Sequence, residues 1–165
     1  MSTASRILCI SGPNLQLLGL REPEIYGTAT LEQVHASVAH HAAHLGVTVE
    51  TRQTNHEGTI VDWIGDARHV PFDGIVLNPG AYTHTSIAIY DAIKAVCIPT
   101  IEVHVSNPDA REEFRRRSRI APACVARVAG FGAFGYVLAL EGLVHHLGER
   151  ASAHARRTPG GARKS

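Results

Sequence analysis

The sequence predicts an α/β domain built on a parallel sheet with helices on both faces. Short apolar runs alternate with helical patterns along nearly the whole chain, and five such runs occur. Two of them, at 7–10 and 75–77, are unbroken apolar stretches, as central strands covered on both faces require. The length of 165 residues suits one domain and is too short for two ordinary ones.

The elements follow in order. Residues 6–11 (RILCIS) read as a strand that ends at Gly12-Pro13. A helix over 31–45 has capping-box spacing at Thr30 and Gln33 and a stop at Gly46. Its buried stripe is Leu31, Val34, Val38, Ala42 and Leu45, which leaves His40, His41 and His44 outside. Strand 47–53, a helix near 58–68 containing Trp63, and strand 74–78 come next. Helix 86–95, with Ser86 as its cap, leads to strand 100–105. A helical turn near 109–117, strand 124–129 and helix 133–147 complete the body. Five strands in a doubly wound sheet of this size predict the order 2-1-3-4-5. The domain is expected over 1–148, with 149–165 as a basic, disordered tail.

Composition narrows the functions. Hydrophobic residues make up 44% and charged residues 19%, which excludes a wholly disordered chain. The formal charge of +1 divides unevenly, because Arg156, Arg157, Arg163 and Lys164 put +4 on the tail and leave a mildly acidic body. An acidic body argues against a nucleic-acid-binding face. Cys9, Cys97 and Cys124 are odd in number, widely spaced and flanked by apolar residues, so they read as reduced core thiols of a cytoplasmic protein. No apolar run approaches a membrane span, and the first residues lack a signal-peptide pattern, so neither export nor membrane insertion is expected.

In an open sheet of this order, ligands bind beyond the carboxyl ends of the strands at the switch point between strands 1 and 3. That rule directs attention to Asn14, Asn78 and the pair Glu102 and His104. Side chains alternate along a strand, so Glu102 and His104 share a face. A carboxylate beside an imidazole stabilises the imidazolium and suits a general acid; the competing reading is a half-solvated edge strand. After strand 3, the stretch 78–84 (NPGAYTH) offers a turn at Gly80 and polar contacts from Asn78 and His84, or is an ordinary strand-to-helix loop. The loop over 12–30 is long enough to be a lid. It holds Arg21 and Tyr26 between Gly19 and Gly27. A guanidinium near Tyr26 would favour the phenolate and make it a general base; the alternative is that Tyr26 packs the loop while Arg21 is solvated.

Eleven histidines invite a metal reading. His40, His41 and His44 lack a third ligand at suitable spacing, however, and His145-His146 ends the last helix, where a cation is favourable against the dipole. There is no H-E-x-x-H, C-x-x-C, phosphate-loop lysine or G-x-S-x-G elbow, and no G-x-G-x-x-G follows strand 1. Only Lys94 and Lys164 occur, so imine chemistry has few candidates.

Six segments together resemble type II 3-dehydroquinate dehydratase: Gly12-Pro13-Asn14-Leu15, REPEIYG at 21–27, NHEG at 55–58, NPGAYTHTS at 78–86, EVHVSN at 102–107 and GFG at 130–132. The resemblance spans about residues 6–148. It implies a flavodoxin-like domain, no metal, no organic cofactor, no Schiff base, and a homo-oligomer that is a dodecamer built of trimers. The implied reaction is anti elimination of water from 3-dehydroquinate to 3-dehydroshikimate. By resemblance, Tyr26 removes the C2 proton, Arg21 favours its phenolate, and Asn14 holds the water that stabilises the enolate. His104 protonates the departing hydroxyl with Glu102 in support. Asn78, His84 and Arg115 hold ring hydroxyls, the backbone of Val105 and Ser106 takes the carboxylate, and Asp91 reaches in from a neighbouring subunit. Ser11 and Gln16 stand where the family commonly has asparagine, and 115–119 reads RRRSR where the family pattern is closer to RHHSY, which bears on subunit packing. The pathway implied is the shikimate route; quinate breakdown, a non-catalytic flavodoxin-like binding module and a flavin protein are the alternatives.

Overall fold

The apolar run at the start of the chain becomes strand β1 (Arg6–Ser11), with β2 (Thr48–Gln53) on one side and β3 (Gly74–Asn78) on the other. Beyond β3 lie β4 (Thr100–His104) and β5 (Ala126–Ala129). All pairings are parallel and the order is β2-β1-β3-β4-β5, as the sequence predicts. The computed structural model describes residues 4–20 and 23–157. Between the strands run α1 (Pro23–Tyr26), α2 (Leu31–His44), α3 (Glu57–Asp66) and α4 (Ile87–Val96), and α5 (Phe134–Arg157) follows β5.

Strand alternation sorts the core into two layers. Ile7, Cys9, Val76, Ile101 and Val103 pack with α2 through Leu31, Val34, Val38 and Ala42, and with α5 through Tyr136, Ala139, Leu140 and Leu143. Leu8, Ile10, Ile75 and Leu77 point to the opposite face, against Ile60 and Ile64 of α3 and Ile89 and Ile93 of α4. Each fully buried isoleucine or leucine contributes about 1.5–3 kcal/mol against exposure. The capping box at Thr30 forms in both directions: the Gln33 N–H donates to Thr30 Oγ1 at 3.3 Å, and the Thr30 N–H donates to Gln33 Oε1 at 3.0 Å.

Several details differ from expectation. Leu45 is exposed, because as the residue after the last helical turn it leaves the apolar stripe, and Val47 fills that end of the core. The loop over 12–30 carries a 3-10 turn at Leu15–Leu17 and the short helix α1, so it is more ordered than a bare loop. The helical turn near 109–117 is two 3-10 turns, Pro108–Ala110 and Glu113–Arg115. Cys97 is exposed: it ends α4 at φ 57° in the left-handed region, which turns it away from the core layer that takes its neighbours Val96 and Ile98. The last helix continues to Arg157, so residues 149–157 are helix and not disordered tail. Its last stretch, ERASAHARR, is rich in alanine and arginine and meets no proline before Pro159. His145 and His146 therefore sit within the helix and away from its end. Residues 158–165 lie outside the described residues. No helix among the described residues is long and apolar enough to cross a membrane.

Candidate active site

The register sets the carboxyl ends of β1 and β3 side by side, with Ser11 opposite Asn78. The chain continues from them in opposite senses round the sheet, and the Gly12 N–H donates to the Asn78 carbonyl at 2.7 Å. A Cβ at Gly12 would stand 2.8 Å from the backbone carbon and oxygen of Pro79, so only glycine lets these two loops meet. Past this junction lies a cleft of about 140 Å³. Asn14, Asn78, His84, His104 and Arg115 line it, and Val105 and Ser106 form part of its floor. Asn14 adopts φ 65°, and its N–H donates to Asn55 Oδ1 at 3.0 Å, which ties the first loop to the segment after β2. The Asn78 side-chain oxygen accepts from the Gly80 N–H at 3.1 Å, fixing the turn that follows β3.

Strand β4 is an interior strand, buried throughout, so Glu102 and His104 do not lie on a half-solvated edge. Glu102 is 0% exposed and His104 only 7%. His104 Nε2 lies 2.5 Å from Glu102 Oε1. The same oxygen accepts from the Thr83 hydroxyl, and Ser118 Oγ lies 2.9 Å from Glu102 Oε2. Burial alone would raise the carboxyl's pKa. The hydrogen bond and charge of His104, with the Thr83 and Ser118 hydroxyls, outweigh burial and hold it below its ordinary value. Nearby, burial and then the Glu102 charge push the Cys124 thiol up to about 12. Glu102 thus stays ionised, its donors occupy both oxygens, and it holds the imidazole by Nε2. The ring's other nitrogen, Nδ1, is the one left to act in the cleft.

Two arginines also line the cleft. Arg115 Nε donates to Glu112 Oε2 at 3.0 Å, and Arg111, also lining the cleft, approaches the same carboxylate at 3.4 Å. The two guanidiniums suit an anion or a ring bearing several hydroxyls. His84 Nδ1 donates to the Arg117 carbonyl at 2.9 Å, which places that proton and leaves Nε2 as the acceptor. Arg119 donates from Nε to the His84 carbonyl at 3.3 Å and from its backbone N–H to the Thr83 carbonyl at 2.8 Å. The RRRSR segment therefore clasps the loop after β3.

The family profile described as Dehydroquinase class II matches residues 5–144. The chain belongs to this family. A 3-dehydroquinate dehydratase of Rhodopseudomonas palustris strain TIE-1 is 54% identical over 150 residues, which cover 91% of this chain and 99% of that protein. Another from Caldicellulosiruptor bescii is 56% identical over 138 residues, 84% of this chain and 95% of its own. Among solved structures, a type II dehydroquinase from Butyrivibrio crossotus superposes with a TM-score of 0.84 at 45% identity, covering 86% of this chain and 99% of its own.

Within this class II dehydroquinase fold, the structure brings Asn14, Asn78, His84, His104, Val105, Ser106 and Arg115 to one cleft, with Glu102 beneath His104. Asp91 is not among the lining residues; it is exposed on α4. Arg21 and the side chain of Tyr26 lie outside the described residues, and Tyr26 closes α1. Sequence reasoning missed Arg111, Asn55, Thr83 and Ser118. Arg111 sits in the stretch expected as a helical turn, and Thr83 and Ser118 lie inside the quoted segments 78–86 and 115–119 with no signal beyond being hydroxyls there. Among the described residues no group of three or more His, Cys, Asp or Glu side chains is arranged to hold a metal ion.

Proposed function

We propose that this cleft dehydrates 3-dehydroquinate to 3-dehydroshikimate by anti elimination through an enolate. The observation that carries the reading is a buried, ionised Glu102 bonded to an imidazole that opens on a small polar cleft with two arginines. Tyr26, as phenolate beside Arg21, removes a proton from C2 next to the ketone. The electron pair moves into the carbonyl, and the enolate oxygen is stabilised by a water held at Asn14. The enolate then expels the C1 hydroxyl, which leaves as water by taking a proton from His104, while Glu102 compensates the charge on the ring. Positioned acid–base groups of this kind each contribute about 10²–10⁴-fold.

Asn78, His84 and Arg115 hold the ring hydroxyls, and the backbone at Val105 and Ser106 receives the carboxylate. His84 supports this role because its Nδ1 proton is committed to Arg117, so Nε2 can accept from a hydroxyl. Assembly as a dodecamer of trimers would bring Asp91 to a neighbouring cleft. In support, Ile87 stands one turn before Asp91 on α4 and is 62% exposed, an apolar residue on the same face awaiting cover. The setting is the cytoplasmic shikimate route to aromatic amino acids.

The test is direct. Purified chain mixed with 3-dehydroquinate should raise the ultraviolet absorbance of the conjugated enone, with and without a chelator, and after borohydride treatment. No rise at micromolar protein would falsify the reading.

A further inference from the structure

Glu102 is an acceptor with no solvent, so whatever donates to it decides whether it can stay charged beneath His104. Two hydroxyls from separate parts of the chain do so: Thr83, from the 3-10 turn after β3, and Ser118, from the segment before β5. Proton accounting fixes their direction. Ser118 Oγ accepts the Ile120 N–H at 3.1 Å and the Ala121 N–H at 2.8 Å, so both lone-pair directions are used and its single proton faces Glu102. Thr83 Oγ1 and Ser118 Oγ lie 2.9 Å apart, yet each has only one proton, and the carboxylate is the stronger acceptor for both. With His104 Nε2, three donors converge on a carboxylate that has none of its own.

We propose that Thr83 and Ser118 are positioning residues for the proton-donating step, acting through Glu102 to hold His104 as the acid. This rests on the reading of His104 above. Neither hydroxyl lines the cleft, so neither touches the substrate. The groups facing Glu102 are few. His104 shares its strand, the Cys124 thiol faces it from the turn at Ala121–Ala123, and Arg127 is its register partner on β5. The Arg127 guanidinium lies 3.8 Å from Asp109. Among the described residues no other charged group interacts with Glu102.

The experiment is steady-state kinetics of the full chain across pH for Thr83→Val, Thr83→Ser, Ser118→Ala and His104→Ala. Valine keeps the shape of threonine and removes only the donor. Loss of one donor to a buried charge should lower kcat about ten-fold or more in Thr83→Val and Ser118→Ala. KM should stay within about two-fold, and the acid limb of the kcat profile should move to higher pH, because a carboxylate with fewer donors takes up its proton sooner. Thr83→Ser, which keeps the hydroxyl, should recover most of the rate and the original limb. The proposal is overturned if Thr83→Val leaves kcat and the limb unchanged, or if Thr83→Ser is as impaired as Thr83→Val, since the methyl would then be what matters. A uniform rate loss with no shift of the limb also overturns it. If His104→Ala retained full activity, the underlying site assignment would fail instead, whatever the hydroxyl variants did.

Discussion

Replacing Glu102 by glutamine isolates the charge from the shape. The two side chains occupy the same volume, so the buried site keeps its packing. What changes is the hydrogen-bond count. The amide oxygen can accept from Thr83 and His104, but the amide nitrogen then stands where Ser118 made its shorter bond, and Ser118 keeps only the 3.1 Å contact to the oxygen the other two already share. A hydrogen bond to a charged group contributes about 1.5–3 kcal/mol, and here the shorter Ser118 bond is lost while the remaining donors crowd one neutral oxygen. Glu102→Gln should therefore lose about 1.5–3 kcal/mol of stability at neutral pH. The sign with pH follows from the depressed carboxyl pKa. The carboxylate's stabilisation is complete above the ordinary value of 4.5 and is lost as pH falls through the lower folded value. The gap between wild type and variant should accordingly be widest near neutrality and close under acid. Without the carboxylate the support for His104 as proton donor is lost, so kcat should fall at least about 100-fold. Denaturant melts at several pH values and the enone assay measure both. A variant within about five-fold of wild-type kcat would refute the argument, and so would a stability gap that does not change with pH.

Other expectations follow from separate parts of the fold. Gly12→Ala drives a Cβ against Pro79 backbone that cannot yield, so it should cost about 1–3 kcal/mol and raise KM, since both loops frame the cleft; unchanged melting and KM would contradict this. His35 is half-buried beside Ser11, and burial, opposed by the Glu32 charge, lowers its pKa below 6.5. The unfolded chain takes up that proton first as pH falls, so stability from the neutral ring is full above 6.5 and declines below it. His35→Gln should flatten the melting-temperature profile in that window, and an unchanged profile would count against the assignment. With a thiol reagent, Cys97 should react quickly, while Cys9, buried and with its thiol pushed up to about 12, should react only on unfolding.

Most of the architecture was legible because it rests on local periodicity. Alternating runs and caps located the strands, and the parallel order followed from their count and spacing. The two-residue period also put Glu102 and His104 on one face, where the structure has them bonded. What stayed hidden depends on contacts across the chain. Thr83 and Ser118 reach Glu102 from 19 and 16 residues away along the sequence, a distance no spacing rule covers. Arg111 enters the cleft because two 3-10 turns fold the segment back, which the single expected helical turn would not do. The extension of the final helix past residue 147 was missed for the opposite reason: its charged, alanine-rich end lacks an apolar stripe, and composition was read as disorder although its alanines and arginines favour helix. Cys97 followed its apolar neighbours in sequence but not in space, because a left-handed residue ends the helix there.

The central claim is that His104, held by Glu102, delivers the proton that lets water leave. The most direct measurement is kcat of His104→Ala with 3-dehydroquinate, by the absorbance of the enone, on protein shown to melt like wild type. The account predicts a fall of at least about 100-fold. A folded His104→Ala protein turning over within a few-fold of wild type would contradict it.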